Sequence, residues 1–216
     1  GVDSTTCLAL AIERFGKENV VPLSIQYGQK HSKELEAAAN VLAYYGIEGK
    51  TMDVTKLFAF SNSSLLTQST EGVPTGSYKE QQDELGEGPV STYVPFRNGL
   101  FLSAAASLAL SLDCGYIYYG AHADDAAGNA YPDCTETFYT SMGNAIFEGS
   151  GKECSLEAPF INRNKADIVR EGLRLGVPYQ LTWSCYEGGD HPCGHCGTGI
   201  DRLKAFRASG VEDPSY

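Results

Sequence analysis

Residues 4–28 read STTCLALAIERFGKENVVPLSIQYG, and this stretch decides the fold class. Cys7, Leu8, Ala11, Ile12 and Phe15 recur at helical spacing, and Gly16 supplies the stop. Asp3 or Ser4 is expected to cap this helix by offering an oxygen to the free amides of its first turn. Residues 20–27 then read as a mostly buried strand that ends at Gly28. A second helix is predicted over residues 33–45, with Leu35, Ala38, Ala39, Leu42 and Tyr45 on one face and Gly46 as its stop; a short strand follows at 51–54. Helix, strand, helix, strand implies βαβ units and a parallel sheet covered by helices on both faces.

Farther along, residues 61–95 are rich in Ser, Thr, Gly, Gln and Glu and predict a long loop, either a functional lid or a disordered stretch. Residues 98–112 form a helix apolar almost all round, which is expected to be buried, partly against a second copy in a homodimer. Residues 116–120 give another strand. Asn164 with Asp167 has the form of a capping box for a helix that runs to Leu175 and stops at Gly176.

The 216 residues carry 16 Lys and Arg against 27 Asp and Glu, a net charge of −11. That surface repels polyphosphate backbones and speaks against a nucleic-acid partner. No apolar run approaches the ~20 residues a bilayer needs, and the front end does not resemble a signal peptide, so a cytoplasmic protein without a membrane partner is expected. The chain begins Gly1-Val2-Asp3-Ser4, with no Met and no strand ahead of its first helix. A doubly wound sheet normally starts with a strand, so the first strand is expected to be missing from this chain.

Ligands of an open parallel sheet bind where strands hand over to helices. Gly1-Val2-Asp3-Ser4, Tyr27-Gly28-Gln29-Lys30-His31 and Gly120-Ala121-His122-Ala123-Asp124-Asp125 all stand at such places. Glycine and a hydroxyl at a helix start can cradle an anion, although a plain helix cap explains four such residues as well. The cysteines say more. Three of the seven fall in Cys185-x7-Cys193-x2-Cys196, a spacing that lets sulfurs share one tetrahedral Zn²⁺. A fourth ligand is expected at position 199, where Gly199 stands; His191, His195, water or Asp201 are the candidates to complete the shell.

Four motifs in order carry a resemblance over nearly the whole chain. The run 181–189 (LTWSCYEGG), followed by His191-Pro192-Cys193-Gly194-His195-Cys196-Gly197-Thr198 and Ile200-Asp201-Arg202, resembles the C-terminal signature of the 7-cyano-7-deazaguanine synthase family. Pro95-Phe96-Arg97-Asn98 resembles its Pro-x-Arg-Asn segment and Tyr131-Pro132-Asp133-Cys134 its Tyr-Pro-Asp-Cys. Gly1-Val2-Asp3-Ser4-Thr5-Thr6-Cys7-Leu8 resembles the end of its pyrophosphatase loop, and Gly199 departs from the family's fourth cysteine.

The resemblance implies an α/β fold of adenine-nucleotide alpha-hydrolase type over 1–180, with a zinc-binding segment over 181–216. It implies an enzyme that joins 7-carboxy-7-deazaguanine and ammonia at the expense of ATP, with Mg²⁺ and Zn²⁺ bound. Gly1, Val2, Asp3, Ser4, Thr5, Thr6, Cys7 and Leu8 would then form the nucleotide loop. Asp3 is its Mg²⁺ partner, Ser4 its phosphate ligand, and Cys7 a packed residue. Arg97 is the expected ligand of a carboxylate or phosphate, with Asn98, Asp124, Asp125 and Asp133 at the substrate. For the three aspartates the competing reading is loop capping. A tRNA-thiolating pyrophosphatase, a non-catalytic zinc module for protein partners, and a relative that passes the same acid to another acceptor are the rival functions.

Overall fold

The computed structural model describes residues 1–86 and 88–216. In chain order the elements are α1 (Val2–Phe15), β1 (Leu23–Gln26), α2 (Lys33–Tyr45), β2 (Lys50–Asp53), α3 (Tyr78–Leu85), α4 (Arg97–Ser111), β3 (Tyr116–Tyr118), α5 (Ala123–Ala126), α6 (Glu136–Gly149), β4 (Ser155–Glu157), α7 (Lys165–Arg174) and α8 (Gly197–Ala208). The βαβ logic holds twice. β1 pairs in parallel with β2 across α2, Leu23 opposite Lys50 and Gln26 opposite Asp53. β3 pairs in parallel with β4 across α6, Tyr116 opposite Ser155 and Tyr118 opposite Glu157.

Among the described residues these pairs do not join into the single sheet expected from the sequence. Between them lies a cavity of about 720 Å³, lined by Leu23 and Ile25, by Tyr116 and Ile117, and by residues of α1 and α4. Lys50 N–H donates to Pro22 O and Val54 N–H to Gln26 O, both at 2.8 Å. In a parallel ladder backbone groups alternate sides, so those of Leu23 and Ile25 face away from β2. On the other pair Ser155 N–H donates to Gly115 O (3.0 Å) and Tyr119 N–H to Glu157 O (2.8 Å), which turns Tyr116 and Tyr118 away from β4.

Local signals set the helices. α7 starts at a complete capping box: Asn164 Oδ1 accepts from Asp167 N–H at 2.9 Å, and Asp167 Oδ2 from Asn164 N–H at 3.1 Å. Its inner face buries Ile168 and Val169 with Val2, Cys7 and Ala9 of α1 and Ala205 and Phe206 of α8. α2 ends at Gly46 in the left-handed region (φ 65°), but its buried stripe is Ala37 and Val41, one step round from the face the spacing suggested.

One expectation needs correcting. Residues 61–95 contain α3, opened by a capping box in which Ser77 Oγ accepts from Glu80 N–H and Glu80 Oε2 from Ser77 N–H. Around it Ser64, Leu66, Thr92 and Val94 are buried while Thr67, Gln68 and Glu71 are exposed, so the described part of this stretch is packed at both ends and open between them. The apolar helix α4 is only partly covered. Leu102 and Ala109 are buried, Phe101, Ala105 and Leu108 line the cavity, and Leu110 is 39% exposed.

Candidate active site

α1 begins at Gly1 as its cap residue, and no side chain bonds to its first amides. Asp3 and Ser4 therefore lie inside the first turn rather than at the cap, and the N–H groups there are open to an anion. β3 delivers Gly120 against this turn: a Cβ on Gly120 would lie 3.4 Å from Asp3 C and Ser4 N. Not all of residues 1–8 faces outward. Val2 is buried; Thr6 donates to Val2 O (2.8 Å) and shares a 2.8 Å bond with the Tyr179 hydroxyl. Cys7 is packed in the core, where burial pushes its thiol up, Thr5 is buried, and Leu8 lines the inter-strand cavity. What the run offers a phosphate is its first amides and the exposed Ser4.

Beside this turn stands a charge cluster. Lys165 Nζ lies 3.1 Å from Asp3 Oδ2 and 3.4 Å from His122 Nε2. His122 Nε2 lies 3.3 Å from Asp125 Oδ2 and 3.7 Å from Asp3 Oδ1. Burial alone would raise the Asp3 carboxyl, but the Lys165 ammonium and His122 hold it below its ordinary value. Burial likewise opposes the Lys165 charge, and Asp3 and Asp125 overcome it, holding the ammonium above its ordinary value. Asp3 Oδ1 and His122 Nδ1 are buried with no hydrogen-bond partner. Asp124 accepts the Lys165 backbone N–H at 2.7 Å and so caps α7, the competing reading of that residue.

A second group gathers at the start of α4 and in the turn just ahead of α6. Phe96 takes the left-handed region (φ 55°), unusual for a bulky residue, with its N–H donated to the Tyr93 hydroxyl at 2.8 Å. This turn delivers Arg97 to the end of β1. Its Nη1 donates to the Tyr27 hydroxyl (3.1 Å), its only side-chain hydrogen bond among the described residues, and its guanidinium lies 4.9 Å from the Tyr27 ring centroid. The remaining donors are free to grip an oxyanion. Burial pushes Tyr27 up to about 12 despite Arg97. Asp133 Oδ2 accepts the Asn98 N–H at 2.8 Å, while Oδ1 is buried and unpartnered; burial raises its carboxyl. The hydroxyls of Tyr78, Tyr186 and Tyr131 form a chain at 3.0 and 3.4 Å, closed by Thr92 at 2.6 Å from Tyr131.

The cysteine cluster closes as the spacing predicts. The Cys185, Cys193 and Cys196 sulfurs lie within 4.8 Å of one another. Cys185 Sγ accepts N–H groups from Glu187 (3.4 Å) and Cys193 (3.3 Å), and Cys193 Sγ that of Cys196 (3.4 Å). Burial alone would raise Cys193, but backbone N–H groups of His195 and Cys196 hold its thiol below the ordinary value; burial pushes Cys196 up to about 12. Buried sulfurs with N–H donors are what a structural zinc site needs, so the residues fit Zn²⁺.

A family model described as "Queuosine biosynthesis protein QueC" matches residues 1–210. The chain belongs to the QueC family. Similar relatives named 7-cyano-7-deazaguanine synthase come from Caldicellulosiruptor saccharolyticus (44% identical, covering 99% of this chain and 90% of the relative), Marinobacter nauticus (41%, 99% and 92%) and Archaeoglobus fulgidus (40%, 99% and 85%).

In this QueC chain two of the other expected zinc ligands, His195 and Asp201, have polar neighbours of their own, and His195 also groups with Glu187 and Cys193 within 4.8 Å. His195 pairs its Nε2 with Glu187 Oε1 (2.9 Å) and its Nδ1 with Cys193 O (2.9 Å). Asp201 lies near Lys165, Lys204, Asp125 and Asp124, its carboxyl raised by burial. Sequence reasoning missed Lys165 as a site residue. His122 sat in a quoted loop without a role, and Tyr78 carried no signal beyond its residue type.

Proposed function

We propose that this QueC chain converts 7-carboxy-7-deazaguanine, ammonia and ATP into 7-cyano-7-deazaguanine, the product in the name its curated relatives carry. The observation that carries the reading is the cluster of Asp3, Lys165 and His122 gathered at the start of α1. Turning a carboxylate into a nitrile takes up one nitrogen and removes two oxygens, neither of which leaves unaided at neutral pH. ATP supplies the activation. The carboxylate attacks its α-phosphate, pyrophosphate leaves, and ammonia displaces AMP to give the amide; a second activation, on the amide oxygen, ends in elimination to the nitrile.

The chain's own part is positioning and charge neutralisation. The first amides of α1 and Ser4 hold the phosphates, with the Lys165 ammonium beside them. Arg97 takes the substrate carboxylate or a phosphate with its planar fork. Asp133 Oδ1 and Asp125 accept from the N–H edge of the deazaguanine, and the Tyr78, Tyr131 and Tyr186 rings offer flat faces to it. Asp3 Oδ1, a buried hard oxygen without a partner, fits Mg²⁺, which when bound neutralises the departing pyrophosphate. Cys185, Cys193 and Cys196 would hold zinc and clamp the segment ahead of α8. The thiolating rival needs a reactive cysteine, and burial raises the thiols of Cys7, Cys134 and Cys154 instead.

The test is pyrophosphate release by the full-length protein. Release is expected only when the acid and ATP are both present. Arg97→Ala should lower it about 100- to 1,000-fold with the circular dichroism unchanged. Release without the acid, or none under any condition, overturns the assignment.

We also infer that one further parallel strand lies between β1 and β3 and completes the doubly wound sheet of adenine-nucleotide alpha-hydrolase type. It would fill the cavity and meet the backbone groups of Leu23, Ile25, Tyr116 and Tyr118 that face it.

A further inference from the structure

We propose that the phenol oxygen of Tyr216 supplies the fourth ligand of the C-terminal metal site, taking the place of a thiolate at position 199. Three sulfurs leave one corner of a tetrahedral ion open, and a structural site is closed by a protein donor. That corner is bordered by Gly199, which sits in the first turn of α8 directly after Cys196. A Cβ built on Gly199 would stand 2.9 Å from the Tyr216 hydroxyl oxygen and 3.3 Å from Cys196 Sγ. A cysteine sulfur one bond beyond that Cβ would fall in the volume the phenol oxygen enters. The oxygen therefore borders the position from which a thiolate at residue 199 would reach the ion.

The placement is anchored. Arg202, fully buried in α8, donates Nε to Asp213 Oδ2 (2.6 Å) and Nη2 to Asp213 Oδ1 (2.9 Å) and Ser215 Oγ (2.7 Å). These bonds pin the chain immediately before Tyr216. Its ring then lies over two glycines: a Cβ on Gly194 would be 3.6 Å from the ring's Cε1, and Gly194 takes a left-handed backbone (φ 73°). Glycines at 194 and 199 together leave room for the tyrosine ring and its hydroxyl. Of the competing donors, Glu187 and His195 pair with each other at the exposed rim and Asp201 lies on the Lys165 side; if His191 or His195 supplies the ligand instead, Tyr216→Phe leaves spectrum and affinity unchanged.

The inference rests on the metal reading of the cysteine cluster and not on the proposed activity, so its test uses the metal alone. The full-length protein is loaded with Co²⁺, whose d–d bands report coordination geometry and whose sulfur charge-transfer band counts thiolates. A chelator competition then gives the Zn²⁺ affinity. The wild type should show a tetrahedral spectrum with three thiolates. Tyr216→Phe, which keeps the ring and its packing, should change the d–d bands and weaken Zn²⁺ at least 10-fold. Gly199→Cys combined with Tyr216→Phe should restore the affinity and add a fourth thiolate's charge transfer. An unchanged spectrum and affinity in Tyr216→Phe overturns the proposal, and so does a wild-type protein that takes up no metal.

Discussion

Asp3 and Lys165 stand 162 positions apart in the sequence and 3.1 Å apart in the fold. Their pairing makes a pH-dependent prediction. Asp3 is lowered from 3.8, so its contribution to stability is present above that value and lost as pH falls through the folded value. Lys165 is raised from 10.5, so its contribution is present below 10.5 and lost as pH rises through the folded value. The pair is thus fully formed between those limits. Lys165→Met leaves the Asp3 carboxylate without its ammonium and should cost about 3 kcal/mol at pH 7. Urea denaturation should show the gap between wild type and variant narrowing as pH falls below 3.8. A gap that stays constant into acid would remove the pair from the account. Nothing in the sequence announces Lys165, a lone lysine after Asn164. Its partner is chosen by α7 packing on α1, and such pairing leaves no local pattern. The cysteine cluster was legible because its spacing is itself the chemistry, whereas Asp3 and Arg97 were singled out by residue type and by the family resemblance.

At the scale of elements the sequence is most readable at helix ends marked by a cap or stop, as at the capping box of α7 and the Gly46 end of α2, whose buried face the spacing missed by one step. It is least readable where polar composition hides a short helix. α3 has few apolar residues, and only the Ser77–Glu80 capping box marks it. Close approach between elements is also invisible from propensity. Replacing a helix-interior glycine by alanine ordinarily gains about 1 kcal/mol. Gly143 of α6 should behave so, since its Cβ would make only an ordinary 3.7 Å contact with Leu156. Gly172 of α7 should do the reverse, because its Cβ would collide with the Tyr179 hydroxyl. That hydroxyl is bonded to Thr6 (2.8 Å) and Ile168 O (3.2 Å), so its displacement loosens α1 and α7 together. Overpacking of this kind costs about 1–3 kcal/mol. Thermal denaturation should therefore show Gly172→Ala melting about 4–8 °C lower and Gly143→Ala slightly higher. The same sign for both would mean that helix propensity, not contact, governs the two sites.

Across the whole molecule, the feature that bears on the expected missing strand is the half-open cavity of about 720 Å³ between the strand pairs. Left unfilled, it would keep Leu23, Ile25, Leu102 and Ile117 against solvent, at a cost of roughly 25 cal/mol per Å² of apolar surface. A filling strand answers both the volume and the outward-turned backbone groups, because a parallel strand supplies side chains to both faces and N–H and C=O groups to both edges. It also explains why α4, apolar on every side, is half-covered: its Phe101, Ala105 and Leu108 face the cavity. Native-state hydrogen exchange on the full-length protein distinguishes the cases amide by amide. With a strand in place, Leu23, Ile25, Tyr116 and Tyr118 should exchange as slowly as their neighbours Ser24, Gln26 and Ile117, which are bonded within the two pairs. Without one, slow exchange would be confined to the latter set, and the odd and even positions of each strand would separate by orders of magnitude.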